Sequence, residues 1–201
     1  MTEKEKMLSG NIYFSGGDEL VKERELAKTM CNRLNFDFTL DTKTKIEMIK
    51  KLIGSYGDNF YIETPVRFDY GYNTKVGHNF YANFDCIFID DMEIRIGNNV
   101  MFGPRVALYT ATHPIDKDVR SSLLEYSKPI TIGDDVWVGG NTVINPGVTI
   151  GSNVVIGSGS IVTRNIPSNV IAAGNPCRVI RIIDKEDKIK WEEIAKNHAK
   201  L

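Results

Sequence analysis

Aliphatic side chains recur at every sixth position from Ile132 to Val162, at Ile132, Val138, Ile144, Ile150, Ile156 and Val162. A second ladder stands beside it at Ile130, Val136, Thr142, Val148, Val154, Ser160 and Ile166. A period of six matches neither the 3.6 of a helix nor the sustained alternation of one long strand, and marks an array of short repeated units. The residue after each principal aliphatic is small or turn-prone: Gly133, Gly139, Asn145, Gly151, Gly157 and Thr163. One inward aliphatic followed by a tight corner, repeated every six residues, predicts a parallel β-helix with short flat faces. Val, Ile and Thr suit those faces through their stiff χ1, and Gly or Asn at the corner is expected to take up strained dihedrals. An ordinary sheet of alternating strands would not keep six aliphatics in register. The same grammar appears less cleanly at Ile94, Val100 and Val106 and at Ile96, Phe102 and Leu108, with Val76-Gly77 as an earlier, degenerate turn.

Ahead of the coil the spacing turns helical. Asp18 is expected to cap a helix reaching about Leu34, with Leu20, Ala27, Met30 and Leu34 near one face. Asp41 or Thr42 opens a second, carrying Ile46, Ile49, Leu52 and Ile53 and ended by Gly57-Asp58-Asn59. Behind the coil Gly174-Asn175-Pro176 breaks the repeat, Val179 to Ile183 reads as a strand, and Asp184 caps a last helix containing Trp191, Ile194 and Ala195. The predicted fold is therefore dominated by β structure. A helical segment covers 1–57, a β-helix 58–183 with a protruding loop at 109–129, and a C-terminal helix 184–201. Terminal pieces of this kind cover the unpaired edges that an open β-helix leaves at its ends. The last helix is expected to cover the coil end or a neighbouring subunit.

Composition narrows the classes of function. With 201 residues, 42% hydrophobic content and a formal net charge of −1, the chain can bury a core and has no polyelectrolyte character suited to nucleic acid. No apolar run approaches a membrane span, and Met1 to Lys6 lacks the apolar stretch of a secretory signal. Cys31, Cys86 and Cys177 are odd in number and show no CxxC spacing. They read as reduced thiols of a cytoplasmic protein.

The repeat is interrupted once, between Leu108 and Ile130. There Tyr109-Thr110-Ala111-Thr112-His113-Pro114-Ile115-Asp116 leads into a polar stretch from Lys117 to Lys128. A loop leaves a rigid scaffold just beyond a histidine, the side chain able to take a proton near neutrality, which makes His113 a candidate general base. A histidine that only braces the loop is the competing reading. His78 sits at a corner, and His198 falls on the Trp191/Ile194 side of the final helix, where packing is expected.

The hexapeptide array, the segment from Tyr109 to Asp116, Asn145-Pro-Gly-Val-Thr-Ile-Gly and Ala173-Gly-Asn-Pro-Cys-Arg-Val-Ile together resemble the maltose and galactoside O-acetyltransferases. Asp69-Tyr-Gly-Tyr-Asn and Asn79-Phe-Tyr-Ala-Asn-Phe-Asp-Cys extend the likeness, which runs from about Lys6 to about Ile183. The resemblance implies a left-handed β-helix, a homotrimer and dependence on acetyl-coenzyme A, with no metal. It implies His113 as catalytic base and Asn83 as an amide that positions the acceptor or stabilises the transition state. Asp69, Tyr81 and Asp91 would contact the acceptor, together with Asn83. Asp69 in its motif looks like the maltose enzymes, whereas Asp91 in Asp90-Asp91 looks like the galactoside enzymes, so the sugar stays open between the two. Gly140 and Ser158 would line the pantetheine arm, Thr163 and Arg164 would lie near the end of the coil, and Arg178 and Arg181 would meet the phosphates. Arginine suits phosphate because its planar fork donates in pairs.

No Ser-His or Cys-His nucleophile is legible near His113, so direct attack by the acceptor within a ternary complex is expected, without an acetyl-enzyme. The competing function within this class is a hexapeptide acetyltransferase acting on a non-sugar acceptor of serine or antibiotic type. A zinc-dependent β-helix enzyme of the γ-carbonic anhydrase type would need three converging histidines, and the chain has three in all, one of them in the last helix. An ice-binding scaffold would need a regular outward threonine array, which Thr142, Thr149 and Thr163 do not make.

Overall fold

The computed structural model describes residues 1–198; the last three residues of the segment expected to form the C-terminal helix lie outside them. The chain winds as a left-handed parallel β-helix whose three sides are sheets of five, seven and five strands. The first face is built from Ser55–Tyr56, Thr74–Val76, Ile94–Ile96, Ile130–Ile132 and Thr149–Ile150. The second carries Tyr61–Ile62, Tyr81–Ala82, Met101–Phe102, Val136–Val138, Val154–Ile156, Val170–Ala173 and Arg178–Ile182. The third carries Val66–Phe68, Cys86–Ile89, Ala107–Tyr109, Val143–Ile144 and Ile161–Val162.

Both six-residue ladders point inward, and every member from Ile130 to Ile166 is buried. In the later turns Thr131 faces Thr149, one coil being three hexapeptides; in the earlier ones Ser55 faces Lys75 and Lys75 faces Arg95, so those coils are two residues longer. The extra residues blur the period before Leu108 and widen the coil, and aromatic rings fill it. Phe68 stacks on Phe88 at 4.7 Å, and Phe80 meets Phe102 edge-on at 5.2 Å.

The corner glycines act differently from the expectation. The left-handed residues are Asp135, Asn141, Gly147, Asn153 and Gly159, two positions after the small residues of each repeat. Gly139 is small because its neighbour coil is close: a Cβ there would stand 2.5 Å from the Ser158 amide nitrogen. Gly133 is in the same position against Ser152.

The helices differ in detail from the sequence reading. Glu3–Leu8 forms α1, opened by a Thr2/Glu5 capping box that the reading missed. Asp18–Phe36 forms α2, with Gly17 at the cap position and Asp18 as its first residue. In α3, Thr42–Leu52, the Asp41 carboxylate accepts from the Thr44 amide at 2.7 Å. That helix stops at Leu52, not at Gly57, because Ser55 already pairs with Lys75. Ala27, Cys31, Leu34, Ile49 and Leu52 join the core of the coil, so α2 and α3 close its N-terminal end. Asn35 completes the closure by bonding both the carbonyl and the amide of Val66 on the outermost strand of the third face.

The excursion from the third face is more ordered than a loop. Ala111–Thr112 pairs antiparallel with Leu124–Ser127, Tyr13–Phe14 adds a third strand, and Lys117–Ser121 forms α4 between them. At the far end Arg178–Ile182 folds back antiparallel on Val170–Ala173. Helix α5, Lys185–His198, is capped by Asp184 as expected but has no buried residue, and Trp191 is 63% exposed. Within one chain α5 does not cover the coil end, and His198 does not pack. The three cysteines are buried and free, and no described helix is long and apolar enough to cross a membrane.

Candidate active site

Two motifs distant in sequence are tied together by one buried carboxylate. Asp90 accepts from the amides of Tyr70 and Gly71 at 2.8 and 3.1 Å and from the Thr74 hydroxyl at 3.0 Å, which fixes the turn that follows Asp69. In return the Asn73 amide donates to the carbonyls of Asp90 and Asp91. Complete burial pushes Asp90 up to about 7 despite these three donors. Asp69 and Asp91 are thereby presented together on the side of the coil where the excursion departs.

Above them lies a cleft of about 280 Å³ lined by Phe14, Ser15, Gly16, Arg24, His113, Arg120, Leu123 and Glu125. His113 follows the strand Ala111–Thr112, and its segment is held by Arg120, which donates to the carbonyls of Pro114 and Ile115 at 3.0 and 2.8 Å. The imidazole is exposed and makes no hydrogen bond among the described residues, leaving both nitrogens open to a ligand. Arg24 reaches in from α2, donating to Tyr70 Oη and to the Ser15 carbonyl, each at 2.6 Å. The floor is acidic. Tyr13 Oη lies 2.8 Å from Asp91 Oδ1 and 3.1 Å from Glu125 Oε2, and Ser15 donates to Glu125 Oε1 at 2.8 Å.

One hydroxyl proton cannot serve both carboxylates, and Asp91 Oδ2 is buried without any partner. Burial first, then the charges of Asp69 and Glu125, push Asp91 up to about 6. Burial also raises Asp69, with Arg24 opposing. Asp69, Asp91 and Glu125 thus lie within electrostatic reach of one another, with the Arg24 guanidinium near Asp69 and Asp91. The donors at hand leave one buried carboxylate oxygen unserved, a deficit that a ligand rich in hydroxyl groups would reduce.

Asn83 and Tyr81 are not in this cleft. Tyr81 lies on the second face, stacked on Tyr61 at 6.4 Å, and Asn83 occupies the corner between the second and third faces, its side-chain oxygen accepting from the Phe84 amide at 2.8 Å. His113 leaves the coil at the corner between the third face and the first. The two are on different edges of one prism. Gly140 and Ser158 stand on the same edge as Asn83, in later turns, while Thr163 and Arg164 follow Ile161–Val162 on the His113 edge. Gly140 is flat against its neighbour, a Cβ there meeting the Pro104 carbonyl at 3.0 Å, and Ser158, Thr163 and Arg164 are exposed. Arg178 donates to its neighbour carbonyl at Cys177, and Arg181 forms a two-pronged pair with Asp187 of α5 at 2.5 and 2.7 Å. That pair holds Asp187 at about 2. Among the described residues no group of three or more His, Cys, Asp or Glu side chains is placed to hold a metal.

Residues 6–57 match the maltose acetyltransferase hexapeptide capping motif, and residues 129–164 match six bacterial transferase hexapeptide repeats. The galactoside O-acetyltransferase of Escherichia coli K12 is 44% identical over 184 residues, covering 92% of this chain and 91% of that protein. The chain belongs to the maltose and galactoside O-acetyltransferase family. A maltose O-acetyltransferase from Clostridium difficile 630 superposes on this acetyltransferase with a TM-score of 0.90 at 51% identity, covering 92% of this chain and 99% of the other. A galactoside acetyltransferase crystallised with coenzyme A superposes equally well, at 44% identity over 94% of each chain. Of the residues named from the sequence, His113 lines the acetyltransferase cleft, while Asp69 and Asp91 stand behind it, connected through Tyr70 with Arg24 and through Tyr13. Tyr13, Ser15, Arg24 and Glu125 border the same cleft, but their short strands and helix supply no local signal of chemistry in the sequence. For Asp90 an acidic pair within an apolar coil turn is the one sign.

Proposed function

We propose that this enzyme transfers acetyl from acetyl-coenzyme A to a hydroxyl of a sugar of maltose, glucose or galactoside type, with His113 as general base. The observation that carries the sugar reading is the acidic ground of the His113 cleft: Glu125 and Arg24 line it, Tyr13 Oη joins Glu125 to Asp91 behind it, and the buried Asp91 Oδ2 has no donor. Sugar hydroxyls donate to carboxylates and accept from a guanidinium, so such an acceptor satisfies both. The acceptor oxygen gives its proton to His113 and attacks the thioester carbonyl. The tetrahedral oxyanion is met by an amide donor, for which Asn83 is the candidate, and its collapse expels the thiol, which recovers the proton.

Because His113 and Asn83 occupy different edges of one prism, a site containing both is completed by a second copy of the chain. This is the arrangement of the homotrimer we infer. The outward stripe of the second face supports it: Tyr61, Tyr81, Met101 and Trp137 stand in register across neighbouring strands, and Met101 and Trp137 are each 52% exposed. Acetyl-coenzyme A, the acetyl donor, would lie in the groove where the edge of Asn83, Gly140 and Ser158 of one copy meets the His113 edge of the next, which carries Thr163 and Arg164 near the coil end. Arg178 and Arg181 would provide cations for its phosphates. The coenzyme A complex of the similar galactoside acetyltransferase supports that choice of donor. Three buried free thiols accord with work in the cytoplasm.

The test is thiol release from acetyl-coenzyme A with maltose, glucose, a galactoside, serine and no acceptor, beside His113→Ala. Sugar-dependent release that falls by roughly 10²–10⁴ in the variant is expected. Release with serine alone would refute the sugar acceptor, and full activity of the variant would refute the base.

A further inference from the structure

A second cleft, of about 220 Å³, opens on the outer surface where the second and third faces meet, lined by Pro65, Arg67, Asp85, Ile87 and Arg105. Its geometry follows from the register. Arg67, Ile87 and Ala107 are opposite one another on three adjacent strands of the third face, all outward. Two residues before each of them stand Pro65, Asp85 and Arg105, stacked along the corner: the Asp85 amide donates to the Pro65 carbonyl at 2.7 Å, and the Arg105 amide to the Phe84 carbonyl at 3.0 Å. With strands about 4.8 Å apart, the backbones of Arg67 and Arg105 are separated by two strand spacings and bracket Ile87. Two long cationic side chains thus reach over one small apolar floor.

Neither guanidinium has a hydrogen bond or ion pair among the described residues, although Asp85 lines the same cleft. Every other arginine in the chain except Arg164 donates to a described partner or, for Arg33, forms an ion pair with Asp37 at 3.7 Å. Arg105 is also out of place conformationally. The corner column reads Asp85, Arg105, Asn141 and Gly159, all at positive φ, with Arg105 at 59°. Asp, Asn and Gly tolerate the left-handed region; a long side chain without local hydrogen bonding does so at a cost. An arginine kept there, beside a second unpaired arginine, presents a fork suited to an oxyanion.

We propose that the Arg67/Arg105 cleft binds a small hydroxylated oxyanion, a sugar phosphate or sugar acid, whose anionic group takes both guanidinia and whose hydroxyl donates to Asp85. The volume fits a group of that size and not a protein segment. The cleft adjoins the corner that carries Asn83, Gly140 and Ser158 but is lined by none of them, so failure of the proposal leaves the reading of the His113 cleft untouched.

Calorimetric titration of the full-length protein with glucose 6-phosphate, glucuronate, inorganic phosphate and glucose, at matched ionic strength, tests it. Arg105→Asn places at this corner the residue type that occupies position 141, and Arg67→Gln removes the other charge. Saturable binding of glucose 6-phosphate or glucuronate, absent with glucose and weakened at least about tenfold in each variant, is expected. Asp85→Asn should weaken the two sugar ligands while leaving inorganic phosphate unchanged. The proposal is overturned if no anion binds, if binding is the same in Arg105→Asn, or if both variants lose their oligomeric mass in light scattering. The last result would mean that the arginines pair with carboxylates of a neighbouring copy.

Discussion

Replacing Asp91 by asparagine separates the acceptor contact proposed for this carboxylate from what it costs the fold. An aspartate in an unfolded chain titrates near 3.9, whereas burial and the nearby charges push Asp91 up to about 6. The unfolded chain therefore releases this proton first as pH rises. The native state holds the acid form at no penalty below about pH 4 and becomes progressively costlier through about pH 6, by roughly 3 kcal/mol in all. About 1.4 kcal/mol of that falls between about pH 5 and about pH 8. Asp91→Asn has no proton to lose and keeps an oxygen for Tyr13 Oη, now at 2.8 Å from Asp91 Oδ1. Relative to the wild type, the variant should gain about 1.4 kcal/mol of unfolding free energy over that pH interval. Asp90, pushed up to about 7 chiefly by burial and in part by the charge of Asp91, loses that last contribution in the variant, so the figure of about 1.4 kcal/mol is a lower bound on the gain. Urea unfolding at equal protomer concentration measures this, and acceptor kinetics on the same samples should show KM raised about tenfold or more, since an amide donor replaces the unpartnered acceptor oxygen. A stability difference that is flat across the interval, or falls with pH, would refute the assignment of a buried, ionising Asp91.

The repeat makes its own predictions. Ile156→Ala removes a fully buried ladder side chain and should cost about 2–5 kcal/mol in denaturant unfolding. Gly139→Ala would drive a Cβ to 2.5 Å from the Ser158 nitrogen. It should cost about 1–3 kcal/mol by forcing neighbouring coils apart, with no relief from its ordinary φ. Asp187→Asn frees the guanidinium of Arg181 from its two-pronged partner. Equilibrium binding of coenzyme A should tighten about threefold or more; unchanged binding would remove Arg181 from the phosphates.

The coil was legible because its inward positions are chemically uniform and its period is set by three hexapeptides per turn. It faded before Leu108 because the coils there are two residues longer and filled by phenylalanine. Corner chemistry was misassigned by two positions: one set of small residues answers to crowding by the next coil, the other to left-handed backbone, and a repeat pattern alone does not separate these causes. His113 was visible through the interruption it follows. The walls of its cleft were not, since a two-residue strand at Tyr13–Phe14 and an arginine on the polar side of α2 carry no period. Nor does the chain order reveal that Asn83 and His113 stand on different edges; that follows only once the residues are counted around three faces. The polar stretch after His113 looked like a loop because α4 and Leu124–Ser127 are short and exposed, held by pairing with distant strands.

The division of the active site between copies can be measured by subunit complementation. His113→Ala and Asn83→Ala proteins, each purified as an inactive homo-oligomer, would be mixed in equal amounts, dissociated, reassembled and assayed for sugar-dependent thiol release. If each site takes its base from one copy and its amide from the next, random reassembly leaves about one quarter of the sites with both residues intact, and about one quarter of the wild-type activity should return. A reassembled mixture as inactive as its parents, alongside a wild-type control that recovers fully, would contradict the account and place both residues' work within a single chain.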